Sequence, residues 1–74
     1  MKTLNYSITD KHSNWHTYTC KQDDNLRIFA YKSASGTWYE AEYFNMETRR
    51  SESLIAGWKL NDVKSMVQKI MGAK

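Results

Sequence analysis

Three side chains that commonly bind metals recur at intervals of four, His12, His16 and Cys20, within the stretch HSNWHTYTC. On a helix this spacing would line two imidazoles and a thiolate along one face, a donor set suited to zinc. The residues between them are Ser, Asn, Trp, Thr and Tyr, which favour strands and turns instead. In a strand His16 and Cys20 stand about 13 Å apart, too far to share an ion. The expectation is a pair of surface histidines and a small thiol, with no metal site and no cofactor.

A second candidate is the carboxylate pair Glu40 and Glu42 in GTWYEAEYF. Alternate positions of a strand share a face about 6–7 Å apart, and paired carboxyls can serve as acid and base. Against this, so short a chain leaves no room for a deep cleft, and Arg27 offers Glu42 a salt-bridge partner. The glycines Gly36, Gly57 and Gly72 stand alone, so there is no phosphate-binding loop. Two histidines give no nucleophile, base and orienter set to test. The chain reads as a protein that is not an enzyme.

What positions these residues follows from a small budget of elements. At 74 residues the chain reads as one domain spanning 1–74, with a single modest core. A formal charge of +3 suits solubility and lacks the dense basic stripe of a duplex-DNA binder. Lone Cys20 forms no internal disulfide. MKTLNYSITDK has no apolar run of a secretion signal, and runs such as Leu54-Ile55-Ala56 are far too short to span a bilayer. A cytoplasmic location is expected, with no membrane partner.

Alternation predicts a strand over Thr3–Thr9, with Leu4, Tyr6 and Ile8 on one side. Turns at Asp10–Asn14 and Gln22–Asn25 bracket a strand Trp15–Lys21. Strands Leu26–Lys32 and Thr37–Phe44 flank the loop Ser33–Gly36. The polar run Met46–Ser53 predicts an exposed loop or ragged edge, and Ser53–Leu60 a short fifth strand with Gly57 as a break or bulge. Asn61 or Asp62 can cap a final helix. Its apolar stripe is Val63, Met66, Val67, Ile70 and Met71, with Lys64, Ser65, Gln68 and Lys69 opposite. Gly72 is a natural stop, and Lys69 and Lys74 suit the negative end of the helix dipole. The fold class is α+β, an antiparallel sheet of four to five strands with one C-terminal helix packed on one face.

If the Ser33–Gly36 loop pairs Lys32 with Thr37, the two sides of the sheet separate. Leu26, Ile28, Ala30, Ala41, Tyr39 and Tyr43 fall on one side, which the helix can cover. Phe29, Tyr31 and Trp38 fall on the other, framed by Arg27, Glu40 and Glu42, with Arg27 opposite Glu42. Exposed apolar patches mark docking sites, so this second side is the expected partner surface, most readily for a protein and also for a second copy in a homodimer. The competing expectation is that Met46–Leu60 folds back over these rings. A further alternative is single-stranded nucleic acid, with bases on the rings and phosphates on Arg49, Arg50, Lys59, Lys64 and Lys69.

The order of four strands followed by a helix resembles the single-stranded-DNA-binding domain of the positive-cofactor type of transcriptional coactivator. The likeness is of element order and carries over no residue. In kind, a short, proline-free, aromatic-rich chain also resembles the accessory proteins of phages and mobile elements. That resemblance implies an inhibitor that plugs a site on a host or defence protein.

Overall fold

The computed structural model describes residues 3–72. Five strands, β1 (Tyr6–Lys11), β2 (Trp15–Cys20), β3 (Leu26–Ser33), β4 (Gly36–Asn45) and β5 (Arg50–Gly57), precede one helix, α1 (Leu60–Gly72). The strands form one sheet in sequence order, every neighbour antiparallel. The helix packs against β4 and β5, giving the α+β architecture. Short turns of Ser, Asn, Asp and Gly allow this meander, because each lets the chain reverse within a few residues.

The β3–β4 hairpin has the expected register: Lys32 faces Thr37, Tyr31 faces Trp38, Phe29 faces Glu40 and Arg27 faces Glu42. Its loop is only Ala34 and Ser35, since Ser33 already pairs with Gly36. Gly36 has φ 129°, which a side chain would resist. The Ser33 hydroxyl donates to the Gly36 carbonyl at 2.9 Å, closing the turn.

The core lies between sheet and helix, where Cys20, Leu26, Ile28, Ala41, Val63 and Val67 form one buried cluster. Burying a Val, Leu or Ile side chain contributes about 1.5–3 kcal/mol, so these few residues supply much of the stability of so small a fold. The helix differs from its expected pattern in two respects. It starts at Leu60, and the Lys59 carbonyl accepts from the Val63 amide at 3.1 Å. Asn61 and Asp62 therefore sit inside the first turn rather than at the cap, where the Asp62 charge still suits the positive helix end. The second difference is on the flanks. Met66 is 39% exposed, whereas Lys64 reaches over the rings of Tyr6 and Tyr18 at 5.4 and 5.8 Å. Gln68 accepts from the Leu4 amide at 2.9 Å. A helix laid over β4 and β5 leaves β1 and β2 unroofed, and long side chains with apolar stems fill that gap. Lys69 lies in the last turn, and Lys74 lies outside the described residues.

Two bulges account for the remaining departures. β1 begins at Tyr6 and runs to Lys11, later than the alternation implied, and beyond Ile8 it carries Thr9 as an extra residue: Ile8 faces Tyr18 and Asp10 faces Thr17. In β5 the extra residue is Leu54, between Ser53 opposite Glu42 and Ile55 opposite Ala41. The bulge is thus at Leu54 and not at Gly57, and it lets both Leu54 and Ile55 pack on the core. Gly57 instead lies against the helix, where a Cβ would make ordinary contact with Val63 Cγ2 at 3.5 Å.

The polar run after Asn45 is a tight reversal followed directly by β5. The Asn45 side-chain carbonyl accepts from the Glu47 and Thr48 amides at 2.9 and 3.3 Å. The Arg49 amide donates to the Asn45 backbone carbonyl at 2.7 Å, with Arg49 at φ 57°. The first half of β5, Arg-Ser-Glu-Ser, escapes a pattern search because an edge strand exposed on both sides needs no apolar alternation, and its charges discourage stray pairing. Among the described residues no helix is long and apolar enough to cross a membrane.

Candidate docking face

The side of the sheet away from the helix carries a band of rings. Trp15 faces Tyr31, and Tyr31 faces Trp38. The residue after Gly57, which faces Tyr39, is Trp58, and its ring meets Trp38 edge to face with centroids 4.9 Å apart. At the other end the His12 ring stacks on Trp15 at 4.0 Å. Neighbouring strands are about 4.8 Å apart, so the band from β2 to the end of β5 spans roughly 14 Å. The next row along the strands is Thr17, Phe29, Glu40 and Ala56, and the row after it Thr19, Arg27, Glu42 and Ser53.

These rings shelter one another without being sealed in. Tyr31 is 40% and Trp58 57% exposed, while Thr17, between Asp10 and Phe29, keeps only 5%. Phe29 and Trp38 are half-buried, and Phe29 stacks against Tyr31 at 6.5 Å. The segment Met46–Leu60 does not fold back over them. It extends the sheet as β5 and enters the helix, and the one ring it adds to this side is Trp58.

Arg27 and Phe29 form a ridge between two hollows. One, of about 360 Å³, is lined by Asn25, Glu42, Phe44, Met46 and Ser51 beside the ridge. The other, of about 450 Å³, is lined by Thr9, Asp10, Trp15, Thr17, Thr19 and Asp24. The Thr9 and Thr19 hydroxyls share a hydrogen bond of 2.7 Å. Arg27 and Glu42 are register partners, yet the guanidinium Nε donates to the Asp24 carbonyl at 3.3 Å instead of closing an ion pair with Glu42. Asp10 holds His12 at 2.9 Å. The Tyr31 hydroxyl titrates above its ordinary value, through loss of solvent first and then through the charges of Glu40 and Glu42.

The other sequence candidates are dispersed. His16 and Cys20 bracket β2 on the helix side; the Cys20 thiol is buried and directed at Gln22 Oε1, 3.4 Å away. His16 meets Tyr18 edge-on at 5.9 Å, while its Nδ1 is buried without a partner. Among the described residues no group of three or more His, Cys, Asp or Glu stands together to hold a metal. Arg49 lies in the β4–β5 turn and Arg50 opens β5. Lys59 follows the far end of that strand, roughly 25 Å away. Lys64 and Lys69 are on the helix, with Lys64 already engaged by Tyr6 and Tyr18. These five cations do not form one edge.

Sequence reasoning missed Trp15, Trp58 and Asp10 as members of this face. Trp15 was open to discovery through parity, had the β2–β3 turn been registered as the β3–β4 turn was. Compared with known proteins, the chain matches no family model, no curated protein and no solved structure. Its fifth strand before the helix departs from the four-strand order of the coactivator domain.

Proposed function

We propose that this is a non-enzymatic binding protein that docks on a protein partner through the uncovered face of its sheet. Phe29, Tyr31 and Trp38 are the anchors, Trp15 and Trp58 extend them, and Arg27, Glu40 and Glu42 form the polar frame. The observation that supports this best is the ring band itself, which sets Trp15, Tyr31, Trp38 and Trp58 side by side on the face the helix leaves free. A large ring removes on the order of 150–250 Å² from water when covered. Interfaces draw their binding energy from a few such rings and arginines surrounded by polar groups. An inhibitor that covers a functional site on a host or defence protein, as phage accessory proteins do, is the sharpest form of this reading.

The test is affinity capture from the native host with the wild-type chain and with Trp38→Ala, read by mass spectrometry and by nucleic-acid sequencing. A protein retained by the wild type and lost with Trp38→Ala is the expected result. Partners held equally by both would sink the docking face. Recovery of nucleic acid, released steeply as salt rises, would favour the single-stranded nucleic-acid alternative.

A further inference from the structure

The chain has a formal charge of +3, but its uncovered face has the opposite sign. Asp10, Asp24, Glu40 and Glu42 lie on or beside it, and among the described strand residues Arg27 is the one permanent cation on that side. The other strand cations alternate to the helix side: Lys11 faces His16, Lys32 faces Thr37 and Arg50 faces Asn45. Asp10 would join them by strict alternation; the extra residue at Thr9 turns it to the ring side.

Each carboxylate is also close to a ring. Glu40 and Glu42 follow Trp38 on the same side of β4, in steps of about 6–7 Å, and Glu40 lies opposite Phe29. Tyr31 titrates high through burial first and then through the charges of Glu40 and Glu42. In the 450 Å³ hollow Asp10 and Asp24 share the wall with Trp15 and Arg27, and His12 already stacks on Trp15 and pairs with one Asp10 oxygen. A ring face beside a carboxylate is the arrangement that binds an organic cation, by ring quadrupole and by charge. A guanidinium suits it well, since it stacks flat and presents a fork of donors.

We propose that the occupant of this face is a cationic protein segment. One arginine or lysine stacks on Tyr31 and Trp38 with its charge toward Glu40 and Glu42, and a second enters the hollow of Trp15, Asp10 and Asp24. An apolar neighbour fills the 360 Å³ hollow between Phe44 and Met46. This rests on the docking reading above and assigns the partner's chemistry. Phosphates would meet four carboxylates, which makes nucleic acid the wrong ligand for this face.

The test uses a convenient property of the chain. Its three tryptophans, Trp15, Trp38 and Trp58, are all on the uncovered side, so tryptophan emission reports on this face. The full chain is titrated with a short peptide alternating Arg and Leu, with the same peptide carrying Glu in place of Arg, and with oligothymidylate. The expected result is a saturable emission change with the Arg peptide, at an affinity roughly tenfold or more above that for the Glu peptide. The double variant Glu40→Gln/Glu42→Gln, close in shape to the wild type, is expected to lose most of that preference while its circular dichroism stays native. Equal binding of both peptides, no response to the Arg peptide, or a stronger response to oligothymidylate overturns the inference. So does an emission change that depends on protein concentration alone, which would make a second copy the occupant. If lysate capture still depends on Trp38 but not on Glu40 and Glu42, the docking face stands and only the cationic partner is lost.

Discussion

Trp38 and Trp58 meet edge to face, with ring centroids 4.9 Å apart and planes at 73°. The contact fastens the link between β5 and α1 to the start of β4, on the side away from the helix. One ring therefore does two things: it holds the entry to the helix and extends the docking band. Gly36 lies close by, where a Cβ would come within 3.9 Å of Trp58 Cε3.

Trp58→Ala should lower stability by about 1 kcal/mol, the size of an aromatic pair contact, because the ring is 57% exposed and forfeits little burial. In a domain of this size that is a melting-point drop of roughly 4–8 °C. Partner retention in the capture assay should fall more steeply than stability does. Thermal melts and capture on the same variant separate the two effects, and an unchanged melt would show that the contact does not hold the helix entry.

Tyr6 faces Cys20 across β1 and β2, and its hydroxyl is buried without a hydrogen-bond partner. Burial, and secondarily the Cys20 thiol, pushes its pKa up to about 12. A folded value above the ordinary tyrosine value of about 10 favours the neutral form in the native state. The stability it confers is complete below about pH 10 and is lost as pH rises toward about 12. Tyr6→Phe should match or slightly exceed wild-type stability at neutral pH, since no hydrogen bond is broken, and should show a shallower alkaline decline. Tyr18, Tyr31 and Tyr43 also titrate high, so part of the slope remains. Urea unfolding at neutral pH and across the alkaline range checks both limbs; a variant less stable at neutral pH would show the hydroxyl to be paired.

Arg49 holds φ 57° in the β4–β5 turn, a conformation that costs an ordinary residue about 1–2 kcal/mol. Arg49→Gly should therefore stabilise the fold by up to about 1 kcal/mol, net of glycine's extra freedom when unfolded. Denaturant midpoints measure this directly. The same variant removes a cation that the nucleic-acid alternative requires, so unchanged capture of a protein partner is expected alongside the gain.

Local chemistry made part of this molecule legible in advance. The two-residue turn at Ala34-Ser35 sets its own register, so every β3–β4 pair followed from pairing Lys32 with Thr37. Val63 and Val67 sit one helical turn apart and both reach the core. The start of β5 was hidden because its residues face solvent on both sides, and the start of α1 because Lys59 is not a capping type.

The sequence by itself determined that there would be a sheet with two unlike sides and one helix to cover one of them, since alternation and helical spacing are properties of neighbouring residues. Only the tertiary structure decided which side receives Asp10 and Trp58. Both follow a bulge, at Thr9 and at Leu54, and a single extra residue sends each later side chain to the opposite face. Such a residue is accommodated by pairing with a strand elsewhere in the chain and by the packing that pairing allows. The charge of the uncovered face and the length of its ring band are therefore products of the assembled sheet.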